Sequence, residues 1–429
     1  MIWLYRILFL PSLLLLAPRY LRRMRRRGGY REHFRERFGL HFVPRRRPDR
    51  LRVWLQAVSV GEMLAIGPIL DGLQKDGVEI YLTTTTSTGF RIAGDRYRRQ
   101  TLGIGYFPID WWPFSARAWR RIDPDAILLT EGERWPEHLN QARKRGAPVI
   151  VINARMSDRS FRRLRRFPPA AKMLLGGVTR LLPSSAEDEA RFRALKFPQE
   201  RMARLGSIKL DVAIPVLSEE ARARLRADLG LGPGFVLLGS STWPGEEEAL
   251  IAALRRARAE GLVGSLLLVP RHAERRFEID RALRKAGLKF HFRSKGPAPE
   301  PVDVAVAPTT GELRNLTQVA DLVFVGKSLL PHTEGQTPVE AAILGKPILF
   351  GPGMGNFYDI ANDLMKRGAA VLVEDAEALA RESAALLRDG ARRRELAAAA
   401  EAWHRENAGA VVRTLEAIRS ELAPLRKRA

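Results

Sequence analysis

From Leu51 onward the chain alternates short apolar runs with longer helically periodic stretches, and this alternation restricts the fold more than any other feature. Residues 51–57, 78–84, 126–130 and 148–153 read as strands separated by helical segments, the βαβ rhythm of a parallel sheet. The rhythm falters around residues 205–215 and resumes with strands at 235–239, 265–269, 302–306, 321–325 and 347–350. Such a pattern predicts an α/β protein with two doubly wound, Rossmann-like halves that meet near Pro215 and face a cleft lined by the carboxyl ends of their strands. The expected layout is a basic lead segment over 1–40, domains over 41–215 and 216–408, and a terminal helix over 409–429 that crosses back.

At 429 residues the chain exceeds what one hydrophobic core usually supports, which agrees with two domains. With 45% apolar and 28% charged residues it is composed like an ordinary folded protein. It has no cysteine, which excludes disulfides, thiolate nucleophiles and cysteine-ligated metal centres. A net charge of +24, mostly from arginine, favours an anionic partner: nucleic acid, an acidic membrane face or a phosphorylated substrate.

The position of the charge narrows that choice. Residues 1–17 are nearly continuous apolar sequence broken by Arg6, Pro11 and Ser12, and a block with Arg19, Arg22, Arg23, Arg25, Arg26 and Arg27 follows. Because the basic block follows the apolar run, the order is wrong for a signal peptide and right for a membrane anchor with its body on the cytoplasmic side. The run is short of the roughly 20 residues that a spanning helix needs, so it either spans with snorkelling arginines or lies in the interface. A second basic run, from Arg155 and Arg159 through Arg166 to Lys172, reads equally as a solvated helix face or as a dock for an anionic head group.

Polar residues at strand ends supply the chemical candidates. Ser59-Val60-Gly61-Glu62 follows the first strand, where capping by Ser59 accounts for the pattern as well as chemistry by Glu62 does. Glu131 and Glu133 stand one residue apart after the strand 126–130, and both cannot cap the next helix equally well. Pro270-Arg271-His272 presents a guanidinium at another strand end, suited to a phosphate. Ser240, Ser241 and Thr242 with Glu246 and Glu247 read as a strand end and helix start where an anion or ordinary capping fits.

Taken in order, these segments resemble the 3-deoxy-D-manno-octulosonic acid (Kdo) transferases of lipopolysaccharide biosynthesis. The resemblance rests on Ser59-Val60-Gly61-Glu62, the run TTTTSTG at 83–89, Glu131-Gly132-Glu133-Arg134-Trp135-Pro136 and Asn153-Ala154-Arg155-Met156-Ser157. Farther along it rests on Gly206-Ser207-Ile208-Lys209, Gly245-Glu246-Glu247-Glu248, Pro270-Arg271-His272, Gly311-Glu312-Leu313 and Thr337-Pro338-Val339-Glu340. It implies a glycosyltransferase B-type fold and an inverting, metal-independent transfer of Kdo from CMP-Kdo to a lipid A precursor, lipid IVA, with no cofactor. The setting it implies is the cytoplasmic face of the cell inner membrane. By the same resemblance, Glu62 is the base that deprotonates the acceptor hydroxyl in the first domain, and Glu131 and Lys209 support the transition state. In the second domain Pro270, Arg271, Gly311, Glu312, Leu313, Gly335, Gln336, Thr337, Pro338 and Glu340 would contact the CMP-sugar. The chain departs from the family where Trp243 replaces a histidine and where Gln336-Thr337 replaces His-Asn. Both departures remove an imidazole from the nucleotide half but leave hydrogen-bonding groups at 336 and 337.

Three other readings remain: a diverged glycosyltransferase with another activated sugar or acceptor, a sugar epimerase of similar fold, and a nonenzymatic basic lipid- or nucleic-acid-binding protein. Against the last, the sequence has no zinc-finger spacing, no aromatic stacking motif and no nucleic-acid module.

Overall fold

The computed structural model describes every residue except 28–32, 213, 310 and 427–429, and leaves out the side chains of 16, 19–21 and 23–27, which include most of the N-terminal basic block. The chain forms two compact units, Met1–Asp211 with Asn407–Ala429, and Val212–Glu406.

The first unit opens with α1 (Ile2–Arg27). Its sheet is built from β1 (Arg52–Gln56), β2 (Glu79–Thr84), β3 (Gly103–Tyr106), β4 (Ala126–Thr130), β5 (Val149–Ala154) and β6 (Arg180–Pro183). All pairings are parallel, in the order β3-β2-β1-β4-β5-β6. In such a doubly wound sheet the order reverses between β1 and β4, and the crevice beyond their carboxyl ends is where ligands bind. Successive strand residues point to opposite faces: Val53 and Leu55 enter one core cluster and Trp54 the other. Both faces are therefore covered, which is why these strands read as unbroken apolar runs. Around the sheet lie α2 (Val60–Ala65), α3 (Pro136–Arg145), α4 (Asp158–Arg166) and α5 (Pro168–Leu175). Ala410, Leu415, Ile418 and Leu422 of the terminal helix Ala410–Arg426 complete the Val53 cluster.

The second unit holds β7 (Phe235–Thr242), β8 (Gly264–Pro270), β9 (Phe290–Phe292), β10 (Val304–Val306), β11 (Leu322–Val325), β12 (Ile348–Phe350) and β13 (Ala370–Leu372). They are again all parallel, in the order β13-β12-β11-β7-β8-β10-β9, so this switch point lies between β7 and β11. Leu250, Ala253 and Leu254 of α6 (Glu246–Ala259) pack against Leu237, Leu266 and Leu268 of the sheet.

Every expected strand is present, together with β3, β6, β9 and β13, which the apolar pattern does not announce. All four are edge strands of three or four residues. They pair on one side only, and glycines in β3 and a histidine in β9 interrupt their apolar character.

Buried polar contacts tie the first turns of α1 to the rest of its unit. Tyr5 donates to Asp110 Oδ2 at 2.6 Å, and Arg6 makes a paired contact with Glu137 at 2.8 and 2.9 Å. Trp3, Leu4, Ile7, Leu8, Leu14 and Leu15 of the same helix are exposed. Among the described residues no helix is long and apolar enough to cross a membrane.

Candidate active site

Beyond β1 the chain turns at Ser59, whose hydroxyl accepts from the Glu62 amide while the Glu62 carboxylate reaches back to the turn, a capping box. The capping expected from the sequence is thus present, yet the Glu62 carboxylate does more than cap. Its Oε2 accepts from the Val58 amide at 2.9 Å and from the Thr130 hydroxyl at 2.6 Å, and its Oε1 accepts from the Ser59 hydroxyl at 2.8 Å. Thr130 ends β4, so this bond joins the two strands that flank the switch point.

Glu131 and Lys209 meet at the same place. Glu131 has the left-handed φ of +49°, and Asn153, at the end of β5, has φ +50°. Such strain costs on the order of 1–3 kcal/mol per residue and persists where the surroundings fix it. Here Asn153 donates to Glu131 Oε1 at 3.3 Å and accepts from the Ile208 amide at 3.2 Å, which fixes the segment that carries Lys209. The Lys209 ammonium pairs with Glu131 Oε1 and lies 3.9 Å from where a β-carbon on Gly61 would sit. Glu62, Glu131 and Lys209, distant in sequence, are therefore neighbours. Glu133 adds a carboxyl that the sequence did not single out for a role. Burial pushes its pKa up to about 7, and the nearby Glu62 charge pushes the same way against the Trp135 indole bond.

The second unit carries its own strained switch point. Ser241 has φ +54° and Lys327, just beyond β11, has φ +57°. The Lys327 ammonium lies 4.1 Å from the centroid of the Trp243 ring, and His272 and His332 pack against the same indole at 5.1 and 5.7 Å. Trp243 thus fills the centre of a small aromatic and cationic cluster. Its indole nitrogen is buried without a hydrogen-bond partner.

Several of the expected nucleotide contacts gather around this cluster. Pro270 ends β8, and Arg271 is exposed, with its amide bonded to the Thr242 carbonyl and no partner for its guanidinium among the described residues. Gly335, at φ +69°, comes so close to Met354 that a β-carbon would lie 2.8 Å from its sulfur, so only glycine fits there. The Gly335 and Gln336 amides bond to the Lys327 and Gly326 carbonyls, which brings the 335–340 segment to the end of β11. The Thr337 hydroxyl accepts from the Val339 amide, and Pro338 caps the helix Val339–Ile343. Glu340 Oε2 is buried and unpartnered. Gly311, Glu312 and Leu313 are engaged differently: Arg293 grips the Glu312 carboxylate at 2.8 to 3.1 Å and holds its pKa below the usual range.

Glu246 and Glu247 are braces. Four backbone amides, from Trp243, Lys327, Ser328 and Leu329, donate to the Glu246 carboxylate at 2.8 to 3.2 Å. Glu247 accepts from Thr242 at 2.7 Å and from Arg275 at 2.7 and 3.0 Å. The anion suited to this strand end is the protein's own.

Residues 32–212 match the family model described as 3-Deoxy-D-manno-octulosonic-acid transferase (kdotransferase). A 3-deoxy-D-manno-octulosonic acid transferase of Bordetella pertussis is 36% identical over 410 residues, covering 92% of this chain and 94% of the relative. The chain belongs to the Kdo transferase family. A second relative, the 3-deoxy-D-manno-octulosonic acid transferase of Haemophilus influenzae, is 29% identical over 92% of each chain. Among solved structures, a glycosyltransferase from Rickettsia africae is 12% identical at a TM-score of 0.53, over 87% of this chain and 99% of that one. A UDP-GlcNAc 2-epimerase from Neisseria meningitidis is 12% identical at a TM-score of 0.55, over 85% and 99%. These two likenesses concern the fold: paired Rossmann-like domains of the glycosyltransferase B kind. As a member of this family the chain is a glycosyltransferase.

Proposed function

We propose that this chain transfers Kdo from CMP-Kdo to the lipid A precursor lipid IVA, with inversion at the anomeric carbon and without a metal ion. One observation carries the reading: a member of this family has the Glu62 carboxylate at its β1/β4 switch point, beside the Glu131–Lys209 pair. Glu62 Oε1 receives one short hydroxyl bond and a longer amide contact of 3.4 Å, and rotation of the Ser59 hydroxyl would free a lone pair for an incoming proton. In the proposed step an acceptor hydroxyl attacks the Kdo anomeric carbon, its proton passes to Glu62, and the bond to the CMP phosphate breaks as CMP leaves with the electron pair. A carboxylate within hydrogen-bond reach of that hydroxyl contributes about 10²–10⁴-fold. Lys209, oriented by Glu131, supplies a fixed positive charge for the donor carboxylate or the leaving phosphate.

In the second unit the unpaired Arg271 guanidinium suits the CMP phosphate, and the orphan Glu340 oxygen suits a ribose hydroxyl, since a buried acceptor without a partner is costly until a donor arrives. Backbone and side-chain groups at 335–338 complete the nucleotide site in this reading. Glu312, already held by Arg293, takes part through its turn rather than its carboxylate.

The membrane enters through α1. Its exposed Trp3, Leu4, Ile7 and Leu8, with Arg6 and Tyr5 bonded to the body, favour a helix that lies in the interface on the cytoplasmic face of the inner membrane, where anionic lipid attracts the basic chain.

Calorimetric titration with CMP tests the donor half. Wild type should bind, and Arg271→Ala and Glu340→Gln should each weaken binding about tenfold. A chain that binds no cytidine nucleotide would sink this reading. Trp243, in the place of the family's histidine, favours a second reading in which the activated sugar differs, and titration with a panel of nucleotide sugars ranks the donors.

A further inference from the structure

A cavity of about 1080 Å³ opens within the first unit, between α3, α5 and the 194–201 loop, with the start of α1 at its edge. That volume lies just above the roughly 300–1,000 Å³ typical of ligand pockets. Leu139, Leu164, Pro168, Met173 and Phe197 form its apolar walls. An open cavity of this size with apolar walls has room for part of a hydrocarbon chain.

The rim says what kind. Arg143, Arg165, Lys172, Lys196 and Arg201 line the cavity, and no acidic residue does. All five are exposed. None forms an ion pair among the described residues; Arg143 bonds only to Asn140. A purely apolar ligand would need no such charges, and a nucleic acid would not need an apolar interior. The combination matches an amphiphile with a hydrocarbon chain and an anionic head. The same observation divides the basic run of residues 155–172. Arg159, Arg162, Arg163 and Arg166 lie on the exposed face of α4, whereas Arg165 and Lys172 stand at the cavity. The exposed apolar residues of α1 begin at the cavity's edge, so with α1 in the membrane interface as proposed above, an acyl chain would enter from the hydrocarbon phase.

We infer that this cavity holds one acyl chain of the phosphorylated lipid acceptor, with its phosphate at the five-cation rim. The inference rests on the proposal that the acceptor is a lipid, and it adds the place where that lipid is gripped. It also assigns acyl-chain selectivity to α3, α5 and the 194–201 loop.

The test is titration of the full chain with dodecyl phosphate below its micelle concentration, with inorganic phosphate and neutral dodecyl maltoside as controls. Dodecyl phosphate should bind wild type about tenfold or more tightly than either control. Ala194→Trp and Met173→Trp, which fill the cavity from different walls, should each weaken dodecyl phosphate about tenfold or more while CMP binding and Tm stay unchanged. The double variant Lys172→Gln, Lys196→Gln should bring dodecyl phosphate toward the affinity of dodecyl maltoside. Wild-type affinity in either folded tryptophan variant, or inorganic phosphate binding as tightly as dodecyl phosphate, would overturn the inference. Because the readout is binding, a failure of Kdo transfer with dodecyl phosphate binding intact would strike the proposed reaction and leave the cavity as a site for an anionic amphiphile. The reverse result would strike the cavity alone.

Discussion

The ends of β1 and β7 carry the same kind of sequence, a strand followed by hydroxyl residues and a glutamate in the first turn of a helix, and they use it differently. After β7, Glu246 accepts four backbone amides and is only 1% exposed, so its carboxylate is spent on holding the β11 loop in place. After β1, Glu62 shares its oxygens among its own turn and the Thr130 hydroxyl, and it remains 8% exposed. Amides cannot turn away from a carboxylate, whereas hydroxyls can rotate and give up an oxygen. Two of the four donors to Glu62 are hydroxyls and all four donors to Glu246 are amides, so the same motif locks one carboxylate and leaves the other with oxygens that can be released, as the proposed base requires.

The sharpest way to break this contrast is to exchange the two carboxylates for neutral groups. Glu62→Gln should lower transfer by about 10²–10⁴-fold, with Tm within a few degrees of wild type. An active Glu62→Gln protein would remove Glu62 as the base. Lys209→Ala should lower transfer about 10²-fold; unchanged CMP affinity would assign its charge to the donor carboxylate, weakened CMP binding would assign it to the leaving phosphate, and undiminished transfer would remove it from the reaction. Glu246→Ala should act on stability. Stripping a buried acceptor from its donors costs about 1–3 kcal/mol per group left unpaired, so Tm should fall by several degrees, and calorimetry that found no change would contradict the bracing role.

Glu133→Gln should have the smallest effect. With its folded pKa at about 7 against an ordinary 4.5, Glu133 keeps its proton in the native state over a window where the unfolded chain has lost it. The native state binds more protons there, so stability falls as pH rises from 4.5 toward 7. The glutamine variant, which still accepts from Trp135, should lose that slope and melt about 2–4 °C above wild type at pH 8. Parallel melting curves across pH would refute the shifted carboxyl.

The contrast also marks what the sequence could tell. The long buried strands were legible because both faces are apolar, and the edge strands β3, β6, β9 and β13 were not, being short, half-paired and interrupted. The Ser59–Glu62 turn was legible as a motif, but its meaning depends on Thr130, which is 68 residues away. The Glu131–Lys209 pair and the Asn153 bridge to Ile208 are likewise long-range, as is the burial that shifts Glu133. Local pattern carries no signal for such contacts. Positive φ at Glu131, Asn153, Ser241 and Lys327 was equally invisible, since the strain is imposed by tertiary bonds rather than chosen by the residue type.

The most direct measurement is the mass of the lipid after incubation of the full chain with CMP-Kdo and lipid IVA. The account predicts a product heavier by one or more Kdo residues, with CMP released in equal number. Unchanged lipid under conditions where the protein is folded and binds CMP would contradict it.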